Sequence, residues 1–237
     1  MTWIDTAAIN VGQRHLSGAD RLVTLITPAH GRMRAVARGV CLPRGPLGGA
    51  LEPFGVCRVV LAPGRGDGLY RVEAADRVRD LPALRADLPS MLGAGLVCAW
   101  AGALGREGDG RVLYRLLHHT LVGLARPADA VAPVVARFLW RLTLVAGVAP
   151  ELGCCVACRT PGDLTGFRML PGGMVCALCR ADGDLAMPPR GHAALCAAAL
   201  EDGAWRSLAP DSARRLAALA QGYLRRHFGA DLPRRAP

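Results

Sequence analysis

Two cysteine pairs form the most specific chemical pattern in the sequence, within the segment LGCCVACRTPGDLTGFRMLPGGMVCALCR. The first C-x-x-C pair and the second are separated by seventeen residues. A tetrahedral Zn²⁺ ion binds four thiolates at about 2.3 Å, and a two-residue gap lets both sulfurs of a pair turn toward one point. The spacing therefore predicts one structural zinc ion, held by Cys155, Cys158, Cys176 and Cys179.

The same segment allows two alternatives, namely a different first metal ligand and a redox function of the cysteine pairs. Cys154 offers a ligand at a three-residue gap from Cys158, but with Cys155 the two pairs have matching spacing. A redox pair of the thioredoxin type would open a helix after a strand, where its thiol pKa is lowered, whereas these pairs lie among turn residues. Because a closed four-sulfur shell leaves no position for water, we expect the ion not to catalyse a reaction.

The residues around the cysteines indicate the elements that must position them. Glycines and prolines between the pairs predict two knuckle turns around a short hairpin, with Phe167 and Met169 as its apolar contacts. Apolar residues at three- and four-residue spacing predict helices on both sides of this module. The expected helices cover residues 84–104, 111–124, 130–146, 192–200 and 211–228.

The N-terminal part of the chain has the alternation of short strands. Strands are expected at residues 3–11, 22–26, 32–38, 54–61 and 69–73, with GQRHLSG as a basic loop between the first two. This pattern fits a five-stranded barrel of the oligonucleotide-binding (OB) type, although composition alone does not separate it from an SH3-like barrel. The prediction is an α+β protein with an OB-fold domain at residues 1–78. An all-helical domain is expected at residues 79–237, carrying the zinc module at about residues 150–182.

Charge makes a polyanion the first partner to consider, because the formal net charge is +10 and the pI is near 9.8. Between Gly12 and Gly49 the chain has one acid, Asp20, against six arginines. We expect phosphate contacts from this group, which comprises Arg14, Arg21, Arg32, Arg34, Arg38 and Arg44. Single-strand binding usually adds aromatic stacking, for which Trp3, Phe54 and Tyr70 are candidates, with at least one expected in the core.

Constellations typical of enzymes are not evident in the sequence. The chain contains no lysine, which excludes a P-loop lysine and a Schiff-base lysine. None of the six histidines has a glutamate two residues later, as a zinc deaminase would require. We therefore expect a binding protein and not an enzyme.

Several features indicate the compartment. The N-terminus MTWIDTAAIN lacks a basic start followed by an apolar run, so the nine cysteines are not interpreted as a secreted disulfide framework. The uncharged run from Leu88 to Gly105 contains Pro89 and four glycines, which favours a buried helix over a membrane span. We expect a cytoplasmic, nucleoid-associated protein with no membrane partner.

Several motifs together resemble the family of the bacterial DNA repair protein RecO. They are GADRLVTLITPAHGRMRAVARGV and LGGALEPF near the N-terminus, then GVAPEL and the paired cysteines. The resemblance implies a recombination mediator that binds single- and double-stranded DNA and anneals complementary strands. The resemblance also implies that the protein binds RecR and the acidic C-terminal tail of single-stranded DNA-binding protein, and that it acts on RecA indirectly, in the RecFOR pathway.

The resemblance places the basic DNA-binding positions of the family on the six N-terminal arginines. For the acidic tail, Arg225 and Arg226 in the last helix are candidates by charge alone. An RNA-binding or transcription-associated zinc-ribbon protein is the alternative, because basic barrels and ribbons also bind RNA.

Overall fold

The computed structural model describes residues 3–42, 47, 49–64, 68–126, 130–199, 203–229 and 232–233. Contacts divide the chain into two compact units, built on Met1–Arg126 and on Pro127–Arg234. The domain boundary expected after residue 78 stays a prediction; the last strand of the first unit ends at Arg79. In the described part of the chain, no helix has the length and apolar character needed to cross a membrane.

The first unit contains a closed five-stranded barrel in the order β1-β2-β3-β5-β4. Neighbouring strands are antiparallel except β3 and β5, which are parallel. This order is that of the OB fold, so the α+β prediction with an N-terminal OB barrel is confirmed and the SH3-like alternative is not supported. The strands are β1 (Ile4–Ser17), β2 (Asp20–Thr27), β3 (Gly31–Ala37), β4 (Val56–Pro63) and β5 (Leu69–Arg79).

Alternation of side chains explains the barrel core. In β3, Met33, Ala35 and Ala37 point inward and are buried, while the residues between them point outward. The inward residues of the other strands join this cluster, and Leu47 and Leu51 from the β3–β4 connection complete it.

One expected loop is a strand instead. GQRHLSG continues β1 as far as Ser17, and the reversal into β2 occurs at Gly18, where φ is 51°. Cross-strand hydrogen bonding with β2 extends the strand, because residues Gly12–His15 pair with Thr24–Arg21 in antiparallel register. The prediction of a loop at GQRHLSG is therefore wrong, except at the turn residue Gly18.

Three helices complete the first unit: α1 (Pro82–Ala86), α2 (Leu88–Leu104) and α3 (Arg111–Leu124). The single helix expected at residues 84–104 is therefore two helices. The chain is extended at Asp87, with φ −123° and ψ 116°. The Asp87 carboxylate accepts a hydrogen bond from Ser90 N. Pro89 explains the break, because its ring would clash with the carbonyl of residue 85 in a continuous helix.

A close backbone approach fastens the β2–β3 turn to the α2–α3 loop. Arg32 N donates to Arg106 O at 2.8 Å, and Gly110 N donates to Pro28 O at 3.0 Å. Gly31 has φ of 64°, and a Cβ atom there would lie 2.1 Å from Arg106 O. Only glycine fits this position, so the turn and the loop are fixed to one another.

The second unit contains α4 (Val131–Val145), a three-stranded sheet, α5 (Pro189–Ala199) and α6 (Pro210–Phe228). The sheet has the order β7-β6-β8, with β6 at Leu164–Arg168, β7 at Gly173–Cys176 and β8 at Leu185–Ala186. The hairpin expected between the cysteine pairs is confirmed as β6–β7. Its Phe167 is fully buried, whereas Met169 is half-buried.

Candidate metal centre and nucleic-acid interface

Two tight turns bring the four predicted metal ligands together. In the first turn, Cys155 N donates to Thr160 O at 2.8 Å and Arg159 N donates to Cys155 O at 2.9 Å. In the second, β7 ends at Cys176 and a 3-10 turn follows over Ala177–Cys179. The sulfur atoms of Cys155, Cys158, Cys176 and Cys179 all lie within 4.8 Å of one another.

The sulfur spacing matches a tetrahedral thiolate site. Four sulfurs at about 2.3 Å from a central zinc ion would lie about 3.8 Å apart. The sulfurs of Cys158 and Cys176 are 3.7 Å apart. The four cysteines are thus in range to bind one metal ion, and a shell filled by four protein ligands leaves no position for a substrate.

Backbone N–H groups stabilise the thiolate form of part of this cluster. N–H groups of Cys158 and Cys176 point at the Cys155 sulfur and lower its pKa to about 6. Hydrogen bonds from the side chain and backbone of Thr160 lower the pKa of Cys158. In contrast, contact with the sulfurs of Cys158 and Cys176 raises the pKa of Cys179 to about 12. A divalent cation would remove the repulsion that opposes ionisation of all four thiols.

Cys154 is held away from the cluster. Burial, and then a hydrogen bond to the Glu151 carboxylate, raise the pKa of its thiol. The same carboxylate accepts a hydrogen bond from Gly153 N at 3.0 Å. The sulfur that faces the other three is therefore that of Cys155, as the matched spacing predicted.

An ion pair beneath the second turn fixes its backbone. Arg168 of β6 donates to both carboxylate oxygens of Asp184, at 2.9 and 2.7 Å, and to Cys179 O at 2.9 Å. The Asp184 side chain is 6% exposed and also accepts from Ala181 N at 2.9 Å. This pair lowers the pKa of Asp184 through the Arg168 hydrogen bond. Sequence analysis missed the pair, because no spacing rule relates two residues that meet across a sheet.

The outward face of β3 and the residue directly after this strand carry part of the predicted nucleic-acid group. Arg34 and Arg38 are exposed there, on either side of the half-buried Val36. Register places Arg14 on the same face, because Arg14 pairs with Leu22 and Leu22 pairs with Val36. Adjacent strands lie about 4.8 Å apart, so the backbones of β1 and β3, with β2 between them, are about 10 Å apart. We call Arg14, Arg34 and Arg38 the open arginine face.

The open arginine face differs in its charge partners from several other arginines of the first unit. Within the described ranges, none of its three arginines has a hydrogen-bonded or acidic partner. Several other arginines of the unit are neutralised: Arg58 donates to Asp5 at 2.7 Å and Arg111 to Asp109 at 2.8 Å. Asp80 likewise accepts from both Arg77 and Arg85. The open arginine face is thus an unneutralised cationic surface on the OB barrel.

The structure does not bring all six predicted arginines together. Arg21 pairs with Ala37, which is an inward position, and its Nε donates to Cys41 Sγ at 3.1 Å. Arg32 is half-buried, and its NH1 donates to Gly102 O in α2 at 3.2 Å. Arg44 lies outside the described residues. The charge count grouped these arginines by their positions in the chain, and it carried no information about the helix that binds Arg32.

The remaining candidates are dispersed. Arg225 of α6 is half-buried and donates to Gln221 Oε1 at 3.2 Å and to Pro233 O at 2.8 Å, whereas Arg226 is exposed. Of the three aromatic candidates, Trp3 is 61% exposed, and Tyr70 packs half-buried against the barrel core. Phe54 is half-buried with φ of 73°. None of the three lies on the open arginine face.

Comparison with protein families covers nearly the whole chain. Residues 1–80 match the family described as "Recombination protein O N terminal". Residues 85–236 match the family described as "Recombination protein O C terminal". The first match spans the barrel strands, and the second spans the later helices and the four-cysteine cluster.

Proposed function

Because the chain belongs to the recombination protein O family, with a general role in DNA repair and recombination, we propose that it anneals complementary DNA strands. It binds single- and double-stranded DNA and helps RecA load on DNA coated with single-stranded DNA-binding protein. The observation that carries this proposal is the open arginine face, which lies on the OB barrel without neutralising acids among the described residues.

The mechanism is electrostatic and requires no bond chemistry. Two complementary strands repel one another through their phosphates, and arginines that neutralise several phosphates at once lower this cost. Arg14, Arg34 and Arg38 can do so at low cost, because among the described residues phosphate contacts would break no ion pair of theirs. The other surface arginines in ion pairs, such as Arg58 with Asp5, would first lose an existing partner.

The four-cysteine cluster holds one zinc ion with a structural role. Support comes from the 3.7 Å separation of the Cys158 and Cys176 sulfurs and from the backbone N–H groups directed at Cys155. Thiolate ligands favour zinc over harder divalent ions such as Mg²⁺. The bound ion would join the two turns, and its closed shell would supply no reactive water.

Partner contacts are assigned by family and by charge. RecR and the acidic tail of single-stranded DNA-binding protein are the proposed protein partners, and the exposed Arg226 is the better placed of the two α6 candidates for a carboxylate. Arg225 already donates to Gln221 and Pro233 O, so it would position the end of α6.

The test is an annealing assay with two complementary oligonucleotides, with and without the cognate single-stranded DNA-binding protein. We expect the protein to speed annealing and the effect to fall steeply with salt. A matched RNA pair separates the zinc-ribbon alternative, since equal or better activity on RNA would favour that function. Failure to bind either DNA form at modest ionic strength would refute the proposal.

A further inference from the structure

The β1–β2 hairpin extends past the barrel and exposes an apolar side chain near its end. Pairing between β1 and β4 stops at Ile9 and Val56, and from Gly12 onward the strand pairs with β2 alone. Leu16 lies at an irregularity of this register, between His15, which pairs with Arg21, and Ser17, which pairs with Asp20. Residues 13–18 are all exposed, although side chains in a strand alternate between two faces. Neither face of this segment is covered, and Leu16 is 50% exposed there.

The hairpin end is braced. Ser17 pairs with Asp20 across the turn, and the Asp20 carboxylate accepts a hydrogen bond from Gly39 N at 2.8 Å. Ala19 O accepts from Cys41 N at 3.2 Å. These bonds tie the β2 side of the hairpin to the chain that leaves β3. The backbone pairs on either side of Leu16, His15 with Arg21 and Ser17 with Asp20, therefore lie next to a turn that is held in place.

Charge around Leu16 selects the chemistry of its partner. Arg14, two residues earlier on β1, belongs to the open arginine face with Arg34 and Arg38. The one acid of the hairpin, Asp20, has its carboxylate engaged by Gly39 N. A partner that satisfies this surface must offer phosphates to the arginines and an apolar surface to the leucine. Stacked bases between two phosphate backbones offer both.

Resting on the DNA binding proposed above, we propose that Leu16 is a wedge that enters the base stack where single-stranded DNA meets a duplex. Apolar side chains such as leucine enter base steps in many DNA-binding proteins, at the cost of partial unstacking. That cost is smallest where pairing is already interrupted, so a single-strand/duplex junction is the favoured substrate. Arg14 holds the adjoining backbone while Leu16 separates the first base pair from its neighbour.

The test uses a junction oligonucleotide with 2-aminopurine at the first paired base, since its fluorescence rises when the base is unstacked. Wild-type protein should raise this fluorescence by at least about twofold at saturation, while Leu16→Ala should lose most of the increase. Binding of Leu16→Ala to plain single strands should stay within about twofold of wild type, because the arginines remain. Leu16→Phe should retain the fluorescence increase.

The control is Leu88→Ala, which shortens another exposed leucine of the same unit, 61% exposed, outside the hairpin. It should behave as wild type. Wild-type binding to the junction without any fluorescence increase, or a full increase with Leu16→Ala, would overturn the wedge and leave strand annealing standing. Absence of binding to every DNA form would instead remove the proposed function, so the two failures are distinguishable.

Discussion

Phe167 of β6 meets the ring of Tyr223 in α6 edge-on, with ring centroids 5.8 Å apart and planes inclined by 71°. Trp140 of α4 is the third member of this cluster, 6.0 Å from Phe167 and 5.9 Å from Tyr223. All three side chains are fully buried. The hairpin that leads to Cys176 therefore forms part of the core between α4 and α6, and the metal module supports that core.

A serine scan of adjacent cysteines should identify the first ligand. Cys155→Ser should lose the metal, because it removes one of the four clustered sulfurs, whereas Cys154→Ser should keep about one zinc per chain. Metal analysis of the purified proteins gives the stoichiometry. Near-UV circular dichroism should weaken with Cys155→Ser only, because the Trp140 cluster loosens with the module. Zinc retained by Cys155→Ser and lost by Cys154→Ser would reverse the assignment.

Stability should fall at alkaline pH because of Tyr223. Burial raises the pKa of its hydroxyl to about 12, above the ordinary value of 10.0. As the pH rises, the hydroxyl therefore loses its proton at a lower pH in the unfolded chain than in the folded protein. The contribution of Tyr223 to the unfolding free energy is complete below about pH 10 and is lost as the pH rises toward 12.

The variant Tyr223→Phe isolates this effect. At neutral pH it should cost about 1 kcal/mol, since it removes the 2.9 Å hydrogen bond to Val148 O. Between pH 9 and 11, however, denaturant titrations should show a smaller decline in its unfolding free energy than in that of wild type. Parallel declines would mean that other groups, and not Tyr223, dominate the alkaline loss.

The sequence carried the local features of the metal module. Matched C-x-x-C spacing identified the four sulfurs, and the turn residues between them indicated a hairpin, because both depend on short-range geometry. The Trp140, Phe167 and Tyr223 cluster was not foreseen. Its members are separated along the chain, and nothing in local periodicity specifies which helix a hairpin packs against.

In the barrel, too, local strand features could be predicted from the sequence, whereas contacts between distant residues could not. The strand expected at residues 32–38 agrees with the exposure of Arg34 in β3 and of Arg38 directly after it, since the period of a strand is two residues. The charge count over residues 12–49 grouped Arg21 and Arg32 with these two arginines. In the structure, Arg21 pairs with an inward residue and Arg32 donates to α2. The segment GQRHLSG, which is expected to be a loop, continues β1 because it pairs with β2.

Removing Arg34 and Arg38 together should weaken DNA binding. Arg34→Ala with Arg38→Ala takes away two unneutralised charges, so single-strand affinity should fall and the slope of log affinity against log salt should flatten by about 1.4. Fluorescence anisotropy over a range of salt concentrations measures both quantities. Arg58→Ala is the control, because this exposed arginine already pairs with Asp5 at 2.7 Å. An unchanged salt slope in the double variant would show that DNA binds at another surface of the protein.

Arg32 should contribute to stability and not to the salt slope. Its guanidinium donates to Gly102 O at 3.2 Å, and a Cβ atom at Gly105 would lie 3.3 Å from its Cβ, so its stem lies against the end of α2. Arg32→Ala should therefore lower the unfolding free energy by about 1 kcal/mol, the ordinary value of one such hydrogen bond. Thermal unfolding should show this loss, while the salt slope for single-stranded DNA stays as in wild type. A flattened slope with unchanged stability would instead assign Arg32 to the DNA surface, and the open arginine face would then extend to the edge of α2.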